Sequence, residues 1–248
     1  MSNETARSPE LSIIVPCFNE EGNVHPTAKA LSDLIARFRL DAEVLMVDDC
    51  SEDRTREEIL ALADADPRFR LVTKPLPRGM GASIRAAIAA ARGQWAVMVN
   101  GDLSDPLEAI PKFREKIMDA RCDLVLLNRY SNDEDYRTIR WSYRFFQLGF
   151  RFLMRCAIGM PQRDVTYGFR AFRLDFVRRL KLESVGFEIS PECSLKAYFV
   201  GGKIGEVTGQ QGRRTVGASK FFFRRVFKGY FQIFLRGVLH RLRLRKLV

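Results

Sequence analysis

Histidine is nearly missing from this 248-residue chain. His25 and His240 are too few and too far apart in sequence to build an imidazole metal site or to activate a nucleophile. Cysteine is sparse too. Its five copies (Cys17, Cys50, Cys122, Cys156, Cys193) are odd in number and never form a Cys-x-x-Cys pair, which argues against a disulfide framework or a zinc site and for buried thiols in a reducing compartment. No apolar run reaches the roughly 18 residues that a membrane-spanning helix needs. Met1–Glu10 is polar, with no apolar segment of the secretory type. The expectation is a protein working in the cytoplasm.

Acid is absent from residues 207–248, which hold 11 of the 41 Lys+Arg. The other 30 balance all 30 Asp+Glu, so the whole net charge of +11 belongs to this last segment. A basic tail rich in aromatics can hold a nucleic acid. A neutral body with acidic loops repels phosphates unless a cation intervenes, so no nucleic-acid partner is expected. At 46% hydrophobic and 29% charged the composition is that of a globular domain, and the length suits one domain with a small appendage.

Apolar runs and helical patterns alternate through the first half. Strands are expected at Leu11–Pro16, Ala42–Val47, Arg70–Thr73, Trp95–Val99 and Asp123–Leu127. Between them lie helices within Asn23–Arg39, from an N-cap at Ser51 to about Ala65, over Gly79–Arg92 and over Leu107–Ala120. This order predicts an α/β fold, a mostly parallel sheet flanked by helices. Ligands of such sheets bind beyond the carboxyl ends of the strands.

Three strand ends carry candidate chemistry. Pro16, Phe18 and Glu20 follow the first strand, where the loop can wrap a base or simply turn the chain. Asp48 and Asp49 end the second, either accepting hydrogen bonds from a base or ribose or serving as turn and cap residues. Asn100, Gly101, Asp102, Ser104 and Asp105 follow the fourth. They are either a solvated turn or an oxygen-rich site for Mg2+ or Mn2+, hard cations that bridge to phosphates.

Further on, two segments have helical periodicity. In residues 139–158, Arg140, Arg144, Gln147, Arg151 and Arg155 form one stripe beside Trp141, Phe145, Leu148, Phe152 and Cys156. In the tail, Phe223, Phe227, Tyr230, Phe231, Phe234 and Val238 share a face, with Arg224, Lys228, Gln232 and Arg236 on another. Basic, aromatic helices too polar to span a bilayer suit its surface. The alternative is that the aromatic stripe packs on the protein's own sheet.

Taken in order, Val15–Glu20 (VPCFNE), Val47–Thr55 (VDDCSEDRT), the Gly-rich helix start at Arg78–Ser83 and the Asn100–Asp102 loop resemble the family 2 glycosyltransferases of the nucleotide-diphospho-sugar transferase (GT-A) fold. Asn128-Arg129-Tyr130, Asp164–Arg170 (DVTYGFR) and Arg214–Lys220 (RTVGASK) are similar to segments of their dolichol- and polyprenyl-phosphate mannose synthases. The resemblance implies a catalytic domain over 11–217, after a flexible 1–10 and before a basic amphipathic segment at 218–248. It implies inverting transfer of a sugar from a nucleotide-sugar, GDP-mannose first, to a polyprenyl phosphate at the inner membrane face. Pro16, Phe18, Glu20, Asp48, Asp49, Gly79, Asn100 and Gly101 would hold the donor. Asp102, with Asn100 and Ser104, would hold the metal. Arg129, with Arg140 or Arg144, would meet the acceptor phosphate, and Arg214 and Lys220 would close over the diphosphate.

The family's first D-x-D aspartate is Asn100 here. An amide ligates without charge, which weakens a divalent site, and Asp105 is the candidate to compensate. A phosphate acceptor is already an anion and needs no general base. Were the acceptor a sugar hydroxyl, Asp102, Asp105 or Asp164 would be the candidates for one. UDP-glucose, UDP-N-acetylhexosamines and UDP-uronic acids remain open as donors. A separate membrane-protein partner is a further possibility, since relatives append transmembrane helices after the Ser-Lys motif.

Overall fold

The structure is a computed structural model and describes residues 8–129, 141–212 and 223–247. Seven strands form one sheet: β1 (Leu11–Cys17), β2 (Ala42–Asp48), β3 (Phe69–Thr73), β4 (Trp95–Met98), β5 (Leu124–Asn128), β6 (Arg170–Arg173) and β7 (Ile204–Thr208). Their order is β3-β2-β1-β4-β6-β5-β7. All pairings are parallel except those of β6, which runs antiparallel to both β4 and β5.

The strands are apolar on both faces because both faces are covered. Leu11, Ile13, Val15 and Cys17 of β1 pack with helices α1 (Val24–Phe38), α2 (Thr55–Ala65) and α4 (Ile110–Met118). Ile14 and, on β2, Leu45 and Val47 face the other core. That core is built on α3 (Met80–Ala90), α5 (Trp141–Leu153), α6 (Leu174–Arg179), α7 (Ile189–Phe199) and α8 (Phe223–Arg241).

Several sequence expectations shift. Helix α2 begins at Thr55, not at Ser51, because Asp53 accepts the Thr55 N–H and hydroxyl at 3.0 and 2.5 Å. The Ser51 hydroxyl instead accepts the Asn19 N–H at 3.1 Å. Residues 107–109 form a 3-10 turn before α4, and Pro111 sits in the helix's first turn, where a missing N–H costs nothing.

The aromatic helices are oriented differently from the stripes read in sequence. In α5 and the π turn that ends it (Met154–Ile158), the inward row is Gln147, Phe150, Met154 and Ile158. Phe145, Leu148 and Phe152 point outward, Phe145 at 78% exposure. Gln147 therefore leaves the arginine stripe and turns into the protein. In α8 the expected single face divides. Tyr230 packs inward with Val226 and Ile233, while Phe227, Phe231 and Leu235 stay exposed. The Tyr230 ring lies 5.4 Å from Phe150, which joins the two helices. Helix α8 thus belongs to the main core.

The N-terminus of α3 is where the fold fixes the turn at Gly79. The Ala82 N–H donates to the Val185 carbonyl at 3.1 Å, drawing the helix against residues 184–186. That loop is held from behind by the buried Glu192, which accepts the N–H groups of Glu183 and Ser184 at 2.9 and 2.8 Å. A Cβ on Gly81 would run into the Ser184 carbonyl oxygen. Gly81→Ala is therefore expected to lower unfolding free energy by about 1–3 kcal/mol, despite alanine's better helix propensity. Urea denaturation followed by circular dichroism checks this.

Candidate active site at the strand ends

The loops after β1 and β2 are zipped together by their own polar groups. The Glu20 N–H donates to Thr55 Oγ1 at 2.7 Å, the Glu52 N–H to Asn19 Oδ1 at 2.8 Å, and the Asp49 N–H to the Cys17 carbonyl at 2.8 Å. Asn19 and Cys50 both take positive φ, which lets each loop double back. The expected nucleotide-binding residues Phe18, Glu20, Asp48 and Asp49 gather here.

Their side chains already have partners within the protein. Glu20 accepts Asn23 Nδ2 at 2.6 Å, and Asp48 accepts the Ser51 N–H at 2.9 Å. Both Asp49 oxygens accept the Gly79 N–H, at 3.0 and 2.8 Å, and Asp49 pairs with the buried Lys74 at 2.5 Å. Asp49 thus acts as the anchor of the Gly79 turn. Gly79 itself sits at φ 149° against the Val185 carbonyl, where no side chain fits. Phe18 is half-buried, with the Arg78 guanidinium 5.3 Å from its ring centre and Arg78 paired to Glu52 at 2.7 Å.

After β4 the chain turns under Pro16. The Gly101 carbonyl accepts the Thr27 hydroxyl at 3.1 Å, and a Cβ on Gly101 would sit 3.5 Å from the Pro16 carbonyl oxygen. Asp102 Oδ1 accepts both the N–H and the hydroxyl of Ser104, at 3.1 and 2.6 Å. Ser104, expected as a ligand, is buried and orients Asp102 through this bond.

Asp105 was the candidate to add charge to the metal site, and it points inward. It accepts the Asn100 N–H at 2.6 Å, Asn100 Nδ2 at 3.0 Å and the Tyr167 hydroxyl at 2.5 Å. Burial pushes its carboxyl pKa up to about 6 against the opposing pull of these donors. The Tyr167 hydroxyl is pushed well above the usual tyrosine range by burial and by the Asp105 charge beside it.

Arg129, expected at the acceptor phosphate, is buried and forked onto Asp164, with Nε and Nη2 at 2.7 and 3.2 Å from its oxygens. Its Nη1 donates to Gln211 at 3.0 Å, and its guanidinium carbon lies 4.0 Å from the Tyr167 ring centre. Thr166 links Asp164 to Gln147 of α5, donating to Gln147 Oε1 at 2.6 Å and lying 3.2 Å from Asp164. Arg140, Arg214 and Lys220 lie outside the described residues, as does the side chain of Arg144.

Tyr167, Thr166, Gln147, Gln211 and Lys74 carry this geometry without having been singled out. Tyr167 and Thr166 stood inside a noted motif. Gln147 was the one uncharged position in an arginine stripe, which was a usable sign that it faces inward.

The donor set fits a divalent cation held jointly with a ligand. Among the described residues no group of three His, Cys, Asp or Glu forms a cage. One carboxylate (Asp102) and one amide oxygen (Asn100) suit Mg2+ or Mn2+, which keep waters and take substrate phosphates as partners.

Comparison with known proteins follows this geometry. Residues 12–181 match the family model for glycosyl transferase family 2. The dolichol-phosphate mannosyltransferase of Saccharomyces cerevisiae is 29% identical over 86% of this chain and 81% of its own length. That of Pyrococcus furiosus is 26% identical over 88% of this chain, which spans 61% of that relative. A prophage bactoprenol glucosyl transferase homolog of Escherichia coli is 29% identical over 86% of this chain and 67% of its own. Among solved structures, the glucosyl-3-phosphoglycerate synthase of Mycobacterium tuberculosis, in complex with Mn2+, UDP and glucosyl-3-phosphoglycerate, superposes with a TM-score of 0.66 at 18% identity, covering 96% of this chain and 81% of that one. The shared fold is the GT-A fold.

The Arg129–Asp164 pair is 8% and 0% exposed at its side chains. Asp164→Ala would leave a buried guanidinium without its counter-charge, at an expected cost of about 3–5 kcal/mol. Chemical denaturation of the variant beside Arg129→Ala tests this.

Proposed function

The chain belongs to glycosyl transferase family 2, and from that premise we propose that it transfers a hexosyl group, with inversion, from a nucleotide-sugar to a polyprenyl phosphate. The observation that carries the reading is the Asn100–Asp102 turn, which lies beside the zipped loops of β1 and β2 at the carboxyl edge of the parallel strands. The mannosyl- and glucosyltransferase relatives, named for dolichol phosphate and bactoprenol, support the lipid acceptor.

In the proposed reaction an acceptor phosphate oxygen forms a bond to the anomeric carbon as the bond from that carbon to the nucleoside diphosphate breaks. No proton has to be removed, because the phosphate is already an anion. When bound, Mg2+ or Mn2+ supplies charge neutralisation for the departing diphosphate. Asp102, oriented by Ser104, and Asn100 would hold that cation. Phe18 would offer a ring at the nucleotide end, and Gly101 packs the turn closely against Pro16. Arg214 and Lys220 are proposed to close over the diphosphate, and Arg140 or Arg144 to meet the acceptor. Arg129 would reach the acceptor phosphate only by giving up Asp164 or Gln211, so its first role is to position that loop.

GDP-mannose is the donor proposed first. UDP-glucose is the second reading, favoured by the bactoprenol glucosyl transferase relatives. The reading includes attachment at the inner face of a membrane. It is supported by the outward Phe145, Phe152, Phe227 and Phe231 and by a last segment that carries all the excess positive charge. Among the described residues no helix is long and apolar enough to cross a membrane.

Incubation with a short polyprenyl phosphate, GDP- and UDP-sugars, and Mn2+, Mg2+ or EDTA tests the reaction. Mass spectrometry is expected to find one metal-dependent glycolipid, lost about 100-fold or more in Asp102→Ala. Product that persists in EDTA, or none with any donor, would sink the reading. For attachment, Phe152→Asp with Phe231→Asp is expected to abolish co-sedimentation with anionic vesicles while leaving the fold intact by circular dichroism. Unchanged sedimentation would count against it.

A further inference from the structure

We propose that Asp105 and Tyr167 form a positioning pair that fixes the Asn100 side chain, so that its carbonyl oxygen, and not its NH2 group, faces the cation position beside Asp102. This rests on the reading above, in which the loop after β4 carries the metal.

The argument is one of donors and acceptors. An ionised carboxylate only accepts. Asp105 receives the Asn100 backbone N–H on one oxygen at 2.6 Å, and on the other the Asn100 side-chain NH2 at 3.0 Å and the Tyr167 hydroxyl at 2.5 Å. With its NH2 committed to Asp105, Asn100 holds Oδ1 near Gly168, where a Cβ would lie 3.8 Å from it. A flipped amide would point two N–H bonds at a cation and repel it. Asp105 and Tyr167 are 6% exposed each. Tyr167 would act on a metal through Asp105 and Asn100, while the Asp105 charge also interacts with that of Asp102.

A carboxylate at position 100 would meet Asp105 acceptor to acceptor, with like charges at hydrogen-bonding distance. Asparagine is the residue of that size that can donate to Asp105 and still offer an oxygen outward. A reciprocal exchange keeps the contact between positions 100 and 105. With Asp at 100 and Asn at 105, the new amide donates to the new carboxylate and to the Tyr167 oxygen, while its carbonyl accepts the backbone N–H.

The test is Mn2+ binding to the full-length protein, read from the electron paramagnetic resonance signal of free Mn2+ with UDP and GDP present in turn. The proteins compared are wild type, N100D, N100D/D105N and Y167F. Simple charge counting ranks N100D tightest, since it carries one more negative charge than wild type or the exchange. The proposal expects the reverse. N100D should bind no more tightly than wild type, and N100D/D105N about tenfold more tightly than N100D. Y167F should lose about threefold in Mn2+ affinity, with its circular-dichroism spectrum unchanged, because Asp105 loses a donor.

N100D as the tightest binder would overturn the proposal while leaving the metal reading standing. Should N100D not fold, Y167F decides: unchanged Mn2+ affinity overturns the coupling. No Mn2+ uptake by wild type with either nucleotide would remove the metal reading and this proposal together.

Discussion

A carboxylate sealed from water has to be given donors, and the need of Asp105 organises the centre of this protein. Leaving such a group unsatisfied costs several kcal/mol, roughly the margin by which a domain is stable at all. Its donors come from two places, Asn100 just past β4 and Tyr167 just before β6. Because β4 and β6 are antiparallel neighbours, the end of one strand lies beside the start of the other. The Tyr167 ring then lies under Arg129, Arg129 forks onto Asp164, and Thr166 passes the chain of contacts to Gln147 on α5. One continuous polar line runs from the turn proposed to hold metal to a helix whose opposite face is aromatic and exposed.

Two more arginines act as fasteners, one inside the protein and one at its surface. Arg170 is fully buried and gives its guanidinium to the carbonyls of Val165, Tyr167 and Ser190 and to the Ser194 hydroxyl. It thereby closes the 165–167 loop, on which the Tyr167–Asp105 contact depends. Arg178 donates to the carbonyls of Ile88 and Ala91, satisfying groups that the C-terminal end of α3 leaves without helical partners. An arginine supplies five donors in a rigid fork, so one side chain can satisfy several carbonyls that water cannot reach.

This explains what could and could not be read from the sequence. Strands and their parallel arrangement were legible because burial on both faces leaves unbroken apolar runs such as Ile13–Val15 and Val44–Val47. The strand-end loops were legible as places because polar residues follow those runs abruptly. The antiparallel β6 was not, since Arg170–Arg173 has an arginine at each end and its direction is set by tertiary contacts. Helical periodicity also failed to say which stripe of α5 faces inward. Phe145-Phe152 and Phe150-Met154 are both apolar rows on one helix, and only the position of the core chooses between them. Asp105 read as an exposed acid for the same reason, because nothing local announces that Tyr167, 62 residues away, will cover it.

The silence of the sequence about the donor has a structural cause. Carboxylates are the side chains best suited to tell one nucleobase or ribose from another, yet Glu20, Asp48 and Asp49 are engaged with Asn23, Ser51, Gly79 and Lys74. These bonds set the loops and leave further lone pairs on the carboxylates. What those loops then present is backbone N–H and C=O groups, the Phe18 ring and the Arg78 guanidinium. A ring face and a guanidinium accept any base by stacking, and backbone groups read a base through their placement, which changes with loop conformation. Under the proposed function, donor choice would rest partly on how the anchored loops lie, and a change at an anchor such as Asp49 would alter specificity without touching the sugar.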